Sequence, residues 1–363
     1  MEDPSSERSL VLNILFLNSS KTRGGNEKWL CMAAESLAER NCRVFCALRD
    51  NSVGKKLQKP EVKILPFRHE ADPATLLPLI RLIRREKIDA VISTKQKDYF
   101  IGGLLSRILG TRHYIRMGIE RKIDDKTIKK FIFNRLCDGI IVNSKKIREG
   151  LCAKGSVNEN KVKVIYNGVE PALKAEISPA EKPFPFTVSS SGSLIKRKGF
   201  VNVILSFAEF IKKYDADDAG LVIIGDGLQK KKLCEIAKKK GIADKIIFTG
   251  FLEDPYPVLK SSDVFLFLSE NEGLPNSVIE AMYLENACIA ASTAGCGEFI
   301  RNDYNGYMVS RDDYYEIAGK LIFLKNHPEK LKKMQTNAAK TAEEKFDIEK
   351  MAEELAGFVS ERH

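Results

Sequence analysis

The sequence predicts an α/β protein made of two doubly wound, parallel-sheet domains in tandem. Three observations carry this. Short apolar runs recur without polar alternation, among them LNILFLN, RVFCAL, GLVIIGDG and DVFLFLS, as strands covered on both faces require. Segments with apolar residues at helical spacing lie between them. The alternation lapses over residues 169–186, which hold four prolines, and then restarts, as expected of a linker between two similar bodies. A length of 363 residues fits two domains of about 150–200 residues each.

The elements follow in order. Residues 12–18 read as the first strand. The turn KTRGGNEKW leads into a helix with Trp29, Leu30, Ala33 and Leu37 at helical spacing, and RVFCAL is the second strand. KIDAVIST, RHYIRMG, CDGIIVNS and KVKVIYNG are further strands, with DPATLLPLIRLIRREK and GGLLSRILG as helices between them. After the linker, PFTVSSSG, GLVIIGDG, KIIFTGF, DVFLFLS and ACIAAST read as strands. Helices are predicted from about residue 199 to 214, 228 to 239 and 274 to 283, and the tail from about 328 to 359 is helical and charged. The expected boundaries are 1–170 for the first domain, 171–185 for the linker, 186–345 for the second domain, and 346–363 for a C-terminal helix packing back on the first. In such folds ligands sit at the carboxyl ends of the strands, and a cleft between the two sheets is the expected site.

Composition excludes several function classes. No stretch reaches about 18 uncharged apolar residues, so no spanning helix is predicted. The start, MEDPSSERSL, lacks the basic and apolar regions of a secretory signal, so a cytoplasmic location is expected. The eight cysteines are scattered without a CxxC pair, which argues against a zinc site or a disulfide framework. Four histidines, one of them terminal, exclude chemistry that needs several imidazoles. The charge is uneven: residues 1–170 carry a net +13 and the remainder a net −3. The basic first half should seek phosphate-bearing partners. No RNA- or DNA-binding signature accompanies it, so nucleic acid is not expected.

Three segments carry candidate chemistry. In SENEGLPNSVIEAM, Glu272 and Glu280 stand with seven residues between them at the junction of a strand and a helix. Carboxylates so placed can accept hydrogen bonds from sugar and ribose hydroxyls. The first-turn amides of Asn276, Ser277 and Val278 can hold a phosphate, and Pro275 costs the helix start nothing. On spacing alone the segment reads equally as a helix start with one carboxylate at the dipole and the other solvated. In SSSGSLIKRKGF, Lys196, Arg197 and Lys198 precede a helix and can bind a diphosphate; a solvated basic loop is the alternative. The Gly24–Gly25 turn allows close backbone approach to a ligand, although it is not the GxGxxG dinucleotide fingerprint.

Together these segments resemble the retaining nucleotide-sugar glycosyltransferases of family 4, with two Rossmann-like domains facing across a cleft, the GT-B fold. The matching pieces run in order from about residue 12 to 320: GGNEKW, KVKVIYNGVE, GSLIKRKGF, LVIIGDG, IIFTGF, EGLPNSVIEAM and GEFIRNDYNGYMV. The resemblance implies that Glu272 contacts donor-sugar hydroxyls and that Glu280 holds the ribose. It implies that Arg197 and Lys198, with the backbone at Gly25, pair with the diphosphate. Gly250 and Phe251 would lie against the base. Gly192, Ser193, Gly273, Leu274, Pro275, Asn276, Ser277 and Val278 would complete the donor site. No metal or other cofactor is implied beyond the nucleotide-sugar co-substrate. The family's basic residue just after the first glycine of this loop is replaced by Ser193, so the Lys196–Lys198 cluster must supply the cations, as in some lipopolysaccharide-core enzymes. Where many members place a histidine near the donor sugar, this chain offers Arg116, a candidate for phosphate, acceptor or a surface salt bridge; Lys95 is a second acceptor candidate. His113 lies within a strand and reads as a packed histidine.

The expected partners are a UDP-, GDP- or ADP-sugar and a glycan or lipid-linked acceptor. In this architecture the basic first domain binds the acceptor. Ile128, Phe131, Ile132 and Leu136 make one helical stripe beside Lys129, Lys130 and Arg135, which can lie on the inner, anionic face of a membrane or pack as an ordinary core helix. An epimerase or hydrolase of the same fold, and a non-catalytic sugar-nucleotide-binding partner, are the alternative functions.

Overall fold

A computed structural model describes residues 11–21, 24–119, 128–153, 157–169, 177–292 and 295–361, without the side chains of residues 128 and 129. The chain divides into two compact units. One runs to Gly168 and takes the chain back from Ile348 onward; the other is Val169–Asp347.

The first unit is a seven-stranded sheet in the order β3-β2-β1-β4-β5-β6-β7, with every pairing parallel. Its strands are β1 Asn13–Asn18, β2 Arg43–Leu48, β3 Glu61–Ile64, β4 Ala90–Ser93, β5 Arg112–Met117, β6 Gly139–Val142 and β7 Val162–Val164. The central strands are buried along nearly their whole length, Ile14, Phe16, Val91, Ile115 and Ile141 among them, and β5 also buries the polar side chains of His113 and Arg116. The edge strand β3 differs: Val62 and Ile64 are exposed, and its four residues, EVKI, contain no apolar run by which a buried strand is recognised. The Ile348–Ser360 helix belongs to this unit. Its Phe358 ring meets Tyr114 edge-on at 5.5 Å, and Arg112 donates to the Ser360 carbonyl at 2.6 Å. Gly139 and Gly168 leave room for it, since a Cβ at either would collide with Phe358 or Ile348.

The second unit is a six-stranded parallel sheet, β10-β9-β8-β11-β12-β13. Its strands are β8 Phe186–Ser191, β9 Ala219–Ile224, β10 Ile246–Gly250, β11 Val264–Phe267, β12 Ala287–Ala291 and β13 Gly306–Val309. β9, β11 and β12 are buried along their whole length. The Phe200–Tyr214 helix fits the predicted helix closely. The Lys230–Lys240 and Asn276–Tyr283 helices each begin two residues later than the pattern suggested. A helix at Tyr314–Asn326 was not foreseen; its tyrosines and lysines blur the apolar period, although Ile317, Ala318, Leu321 and Leu324 are buried.

In both sheets the strand order reverses at one point, between β1 and β4 and between β8 and β11. The carboxyl ends of these strands are the switch points at which doubly wound sheets place their ligand crevice.

The predicted stripe at residues 128–136 follows the core-packing reading in part. The Ile128–Arg135 helix turns Ile132 and Phe133 into the core, and Leu136 just beyond it is buried too, but Phe131 is left 53% exposed. The stripe is therefore split, because one side must pack the sheet. Phe131 lies with Lys130, Asn134, Arg135, Val157 and Asn158 around an open depression of about 600 Å³. Residues 120–127 of this segment lie outside the described residues.

Candidate active site

In the second unit the crevice is made by the loops after β8 and β11. The first loop turns at Gly192 (φ 148°) and passes through the basic turn Lys196–Lys198 to Gly199 (φ 73°). Gly199 has to be glycine: its backbone is left-handed, and a Cβ would strike the Leu268 carbonyl. This close approach joins the basic turn to the end of β11. Glu270 N–H donates to the Arg197 carbonyl at 2.8 Å, and Ser269 Oγ donates to the same oxygen at 3.2 Å.

The two loops thereby bring three charges together. Glu272 Oε1 lies 2.5 Å from Arg197 Nη1 and 2.7 Å from Lys198 Nζ. Arg197 Nη1 also donates to the Asn271 carbonyl at 2.8 Å, and Lys198 Nζ stands 5.7 Å from the centroid of the Phe267 ring. Burial works to raise the Glu272 pKa, but Lys198 and Arg197 outweigh it and hold the carboxyl below the ordinary range. Two fixed cations against one carboxylate leave a net positive pocket wall, suited to an anion carrying more than one charge.

Glu280 is buried, 9% exposed, on the Asn276–Tyr283 helix. That helix starts behind Pro275, which supplies no side-chain cap. The expectation for Val278 needs correction: its amide donates to the Pro275 carbonyl at 3.1 Å, and its side chain is fully buried. The helix closes its own first turn there, which removes Val278 from the amides open to a ligand. Leu274 is also buried.

One contributor was missed. The Gly295 amide donates to the Glu272 carbonyl at 3.1 Å, and a Cβ at 295 would collide with the Gly273 carbonyl. The glycines of AGCG after β12 were its only trace in the sequence. Further along the rim, Gly192, Gly225 and Gly250 support one another. Gly192 N–H donates to the Ile224 carbonyl (3.0 Å) and Gly225 N–H to the Gly250 carbonyl (2.9 Å). Ser193 is exposed beside Gly192, and Phe251 is 70% exposed just past Gly250.

The first unit has its own polar cluster at the switch point between β1 and β4. Gly25 opens the Gly25–Glu39 helix and is exposed. Glu27, 3% exposed, pairs with Lys95 Nζ at 2.6 Å and accepts from Asn18 Nδ2 at 3.0 Å. Arg116 is neither at the surface nor in a salt bridge with a described residue, which corrects the surface salt-bridge reading. It is 2% exposed, donates to the amide oxygens of Asn26 and Asn167, and stacks over Trp29 at 4.7 Å. Burial lowers its pKa to about 10. His113 is packed as expected, with Ser93 Oγ at 2.9 Å and the Leu136 carbonyl at 2.7 Å; burial lowers its pKa to about 4. Among the described residues, no three His, Cys, Asp or Glu side chains gather as a metal-holding group.

The profile described as "Glycosyl transferases group 1" matches residues 174–341, and "Glycosyltransferase Family 4" matches residues 23–173. The chain is a family 4, group 1 glycosyltransferase. This glycosyltransferase is 28% identical over 333 residues, 86% of each chain, to the N-acetylgalactosamine-N,N'-diacetylbacillosaminyl-diphospho-undecaprenol 4-alpha-N-acetylgalactosaminyltransferase of Campylobacter jejuni. It is 26% identical over 298 residues to a lipopolysaccharide core biosynthesis glycosyltransferase of Rhizobium meliloti, covering 80% of this chain and 82% of the relative. Its fold matches Anabaena Alr3699/HepE, solved in complex with UDP, with a TM-score of 0.82 at 19% identity over 96% of this chain and 100% of that one. The glycosyltransferase thus has the GT-B fold, and its Glu272, Arg197 and Lys198 converge within the second unit.

Proposed function

We propose that this glycosyltransferase moves a sugar with retention of configuration from a UDP-, GDP- or ADP-sugar to a glycan or lipid-linked acceptor of a cell-envelope polysaccharide or lipopolysaccharide. The observation that carries this reading is the contact of Glu272 with Arg197 and Lys198. A donor diphosphate takes over the two cations, because its charge exceeds that of one carboxylate. Glu272, released from them, accepts hydrogen bonds from hydroxyls of the donor sugar, and Glu280 does the same for the ribose. Gly192, Ser193, Gly273 and the first turn at Pro275–Ser277 line the phosphates, and Gly250 and Phe251 lie against the base.

The bond from the sugar's anomeric carbon to the β-phosphate oxygen then breaks. Arg197 and Lys198 stabilise the charge that develops on the leaving diphosphate. The acceptor oxygen forms its bond to the same face of that carbon and gives its proton to the departing phosphate oxygen. The side-chain cations do the work for which other transferases recruit a metal, so the reaction is metal-independent and unaffected by EDTA. The names of the Campylobacter and Rhizobium relatives, a diphospho-undecaprenol transferase and a lipopolysaccharide-core transferase, support the choice of acceptor.

The reading extends to the place of work, the cytoplasmic face of a membrane. No described helix is long and apolar enough to cross one. Leu77 and Phe131, each 53% exposed, stand on helices that also carry Arg81, Arg84, Arg85, Lys130 and Arg135, a pairing of apolar and basic groups that suits an anionic bilayer.

A thermal-shift screen over UDP, GDP, ADP and their sugars tests the donor. A ligand at a hundred times its Kd adds about 2.7 kcal/mol to the native state. Proton NMR of the product then reads the anomeric configuration: under this reading it is the same as that of the donor sugar, and an inverted configuration contradicts it.

A further inference from the structure

We propose that Arg116 is the positioning residue of the first unit's crevice, acting through Asn26 and Asn167 and not by touching the ligand. The inference rests on the transferase reading, in which the turn at Gly25 belongs to the working surface.

Arg116 stands at the end of β5, and its guanidinium folds back under Gly118, where a Cβ would collide with Nη1. From there it reaches two loops on other strands. Nη1 donates to the Asn26 side-chain oxygen in the first turn of the Gly25–Glu39 helix. Nη2 donates to Asn167 Oδ1 at 3.0 Å, in the loop after β7. The Asn26 amide is held at both ends, since its Nδ2 donates to the Thr94 carbonyl at 3.2 Å. Thr94 Oγ1 accepts from Asn18 Nδ2 at 2.8 Å and donates to the Leu17 carbonyl at 2.9 Å. Asn18 also donates to Glu27, the partner of Lys95. The ends of β1, β4, β5 and β7 are thus joined in one network.

A buried guanidinium whose acceptors are neutral amides is a costly way to build a core. A methionine or leucine would fill the space beside Trp29 without the desolvation penalty. What the guanidinium supplies is a rigid planar fork that fixes two loops at a set separation. Asn26 lies one residue past Gly25, so the fork sets where the turn's amides and the half-exposed Lys95 face. A displacement of such groups by about 1 Å costs on the order of a hundredfold in rate.

Hydrogen–deuterium exchange tests the positioning directly. In Arg116→Gln, amide exchange should quicken at least tenfold at residues 24–30 and 165–168, with the rest of the first unit unchanged. Asn26→Leu should reproduce the first effect alone and Asn167→Leu the second alone, while Arg116→Lys should fall between wild type and Arg116→Gln. Unchanged exchange at 24–30 in Arg116→Gln, or acceleration spread evenly over the unit, overturns the proposal. Should Arg116→Gln fail to fold, Asn26→Leu breaks the same link from its half-exposed end, and unchanged exchange at 24–30 there is equally decisive against it. A second readout is hydrolysis of UDP-glucose, GDP-mannose and ADP-glucose with water as acceptor. Arg116→Gln should lower kcat about tenfold with KM within about twofold; an unchanged kcat contradicts the role. Wild type that hydrolyses none of the three and binds none of UDP, GDP and ADP counts against the transferase reading alone, and the exchange experiment still decides the role of Arg116.

Discussion

Glu272 and Lys198 lie 2.7 Å apart although they come from loops after different strands. Gly199 lets the two loops touch. The contact makes a statement about charge: the carboxylate is held ionised and the ammonium is held in place before any ligand arrives.

The ionisation can be measured. Glu272 has a depressed folded-state pKa, so its contribution to stability is present above the unfolded value of about 4.3 and lost as pH falls through the folded value. In Lys198→Met one opposing cation is gone and burial remains. The Glu272 pKa should rise, read by carbon NMR of labelled glutamate, and the acid limb of the stability curve should move to higher pH. An unchanged pKa would mean that Lys198 exerts no field on the carboxylate.

Gly199 and Gly241 form a matched pair. Both are left-handed, at φ 73° and φ 71°, but a Cβ at 199 strikes the Leu268 carbonyl while a Cβ at 241 meets nothing within 4 Å. Gly241→Ala should cost only the backbone strain, about 1 kcal/mol. Gly199→Ala should cost at least about 2 kcal/mol and should weaken nucleotide binding as well, because it displaces Lys198. Chemical denaturation and calorimetric titration separate the two variants; equal costs would contradict the geometry.

Two buried groups of the first unit give opposing pH dependences. Burial raises Asp98 from 3.8 to about 6, against its hydrogen bond from Ser19, so stability falls as pH rises from about 4 to 6. Burial lowers His113 from 6.5 to about 4, so its stabilising contribution, present above about 6.5, is lost as pH falls toward 4. In wild type the two slopes offset each other. In Asp98→Asn only the His113 slope remains, and stability should drop by up to about 3 kcal/mol between pH 6.5 and 4 relative to wild type. The single tryptophan, Trp29 of this unit, reports the unfolding. Parallel curves for the two proteins would refute the assignment.

Much of this was legible in the sequence. Buried parallel strands are written as unbroken apolar runs, so β9, β11 and β12 were readable with near-correct ends. The acidic pair and the basic turn were readable because charged residues at strand ends stand out. Other features left no such trace. The edge strand β3 is half solvated and lacks an apolar run. The Tyr314–Asn326 helix hides its buried face among lysines and tyrosines. Gly295 matters for the space it leaves beside Gly273, and a sequence does not print distances. Arg116 read as a candidate for phosphate, acceptor or a surface salt bridge; its burial depends on Asn26, Asn167, Gly118 and Trp29, which only the fold assembles.

The most direct measurement of the central claim is donor turnover by Glu272→Gln beside its nucleotide affinity. Gln keeps the shape and loses the charge, while Arg197 and Lys198 remain to hold a diphosphate. The account predicts turnover reduced at least a hundredfold, with affinity for the free nucleoside diphosphate equal to or greater than that of wild type, because no carboxylate competes for the cations. Turnover equal to wild type, or loss of nucleotide binding with the fold intact, would contradict it.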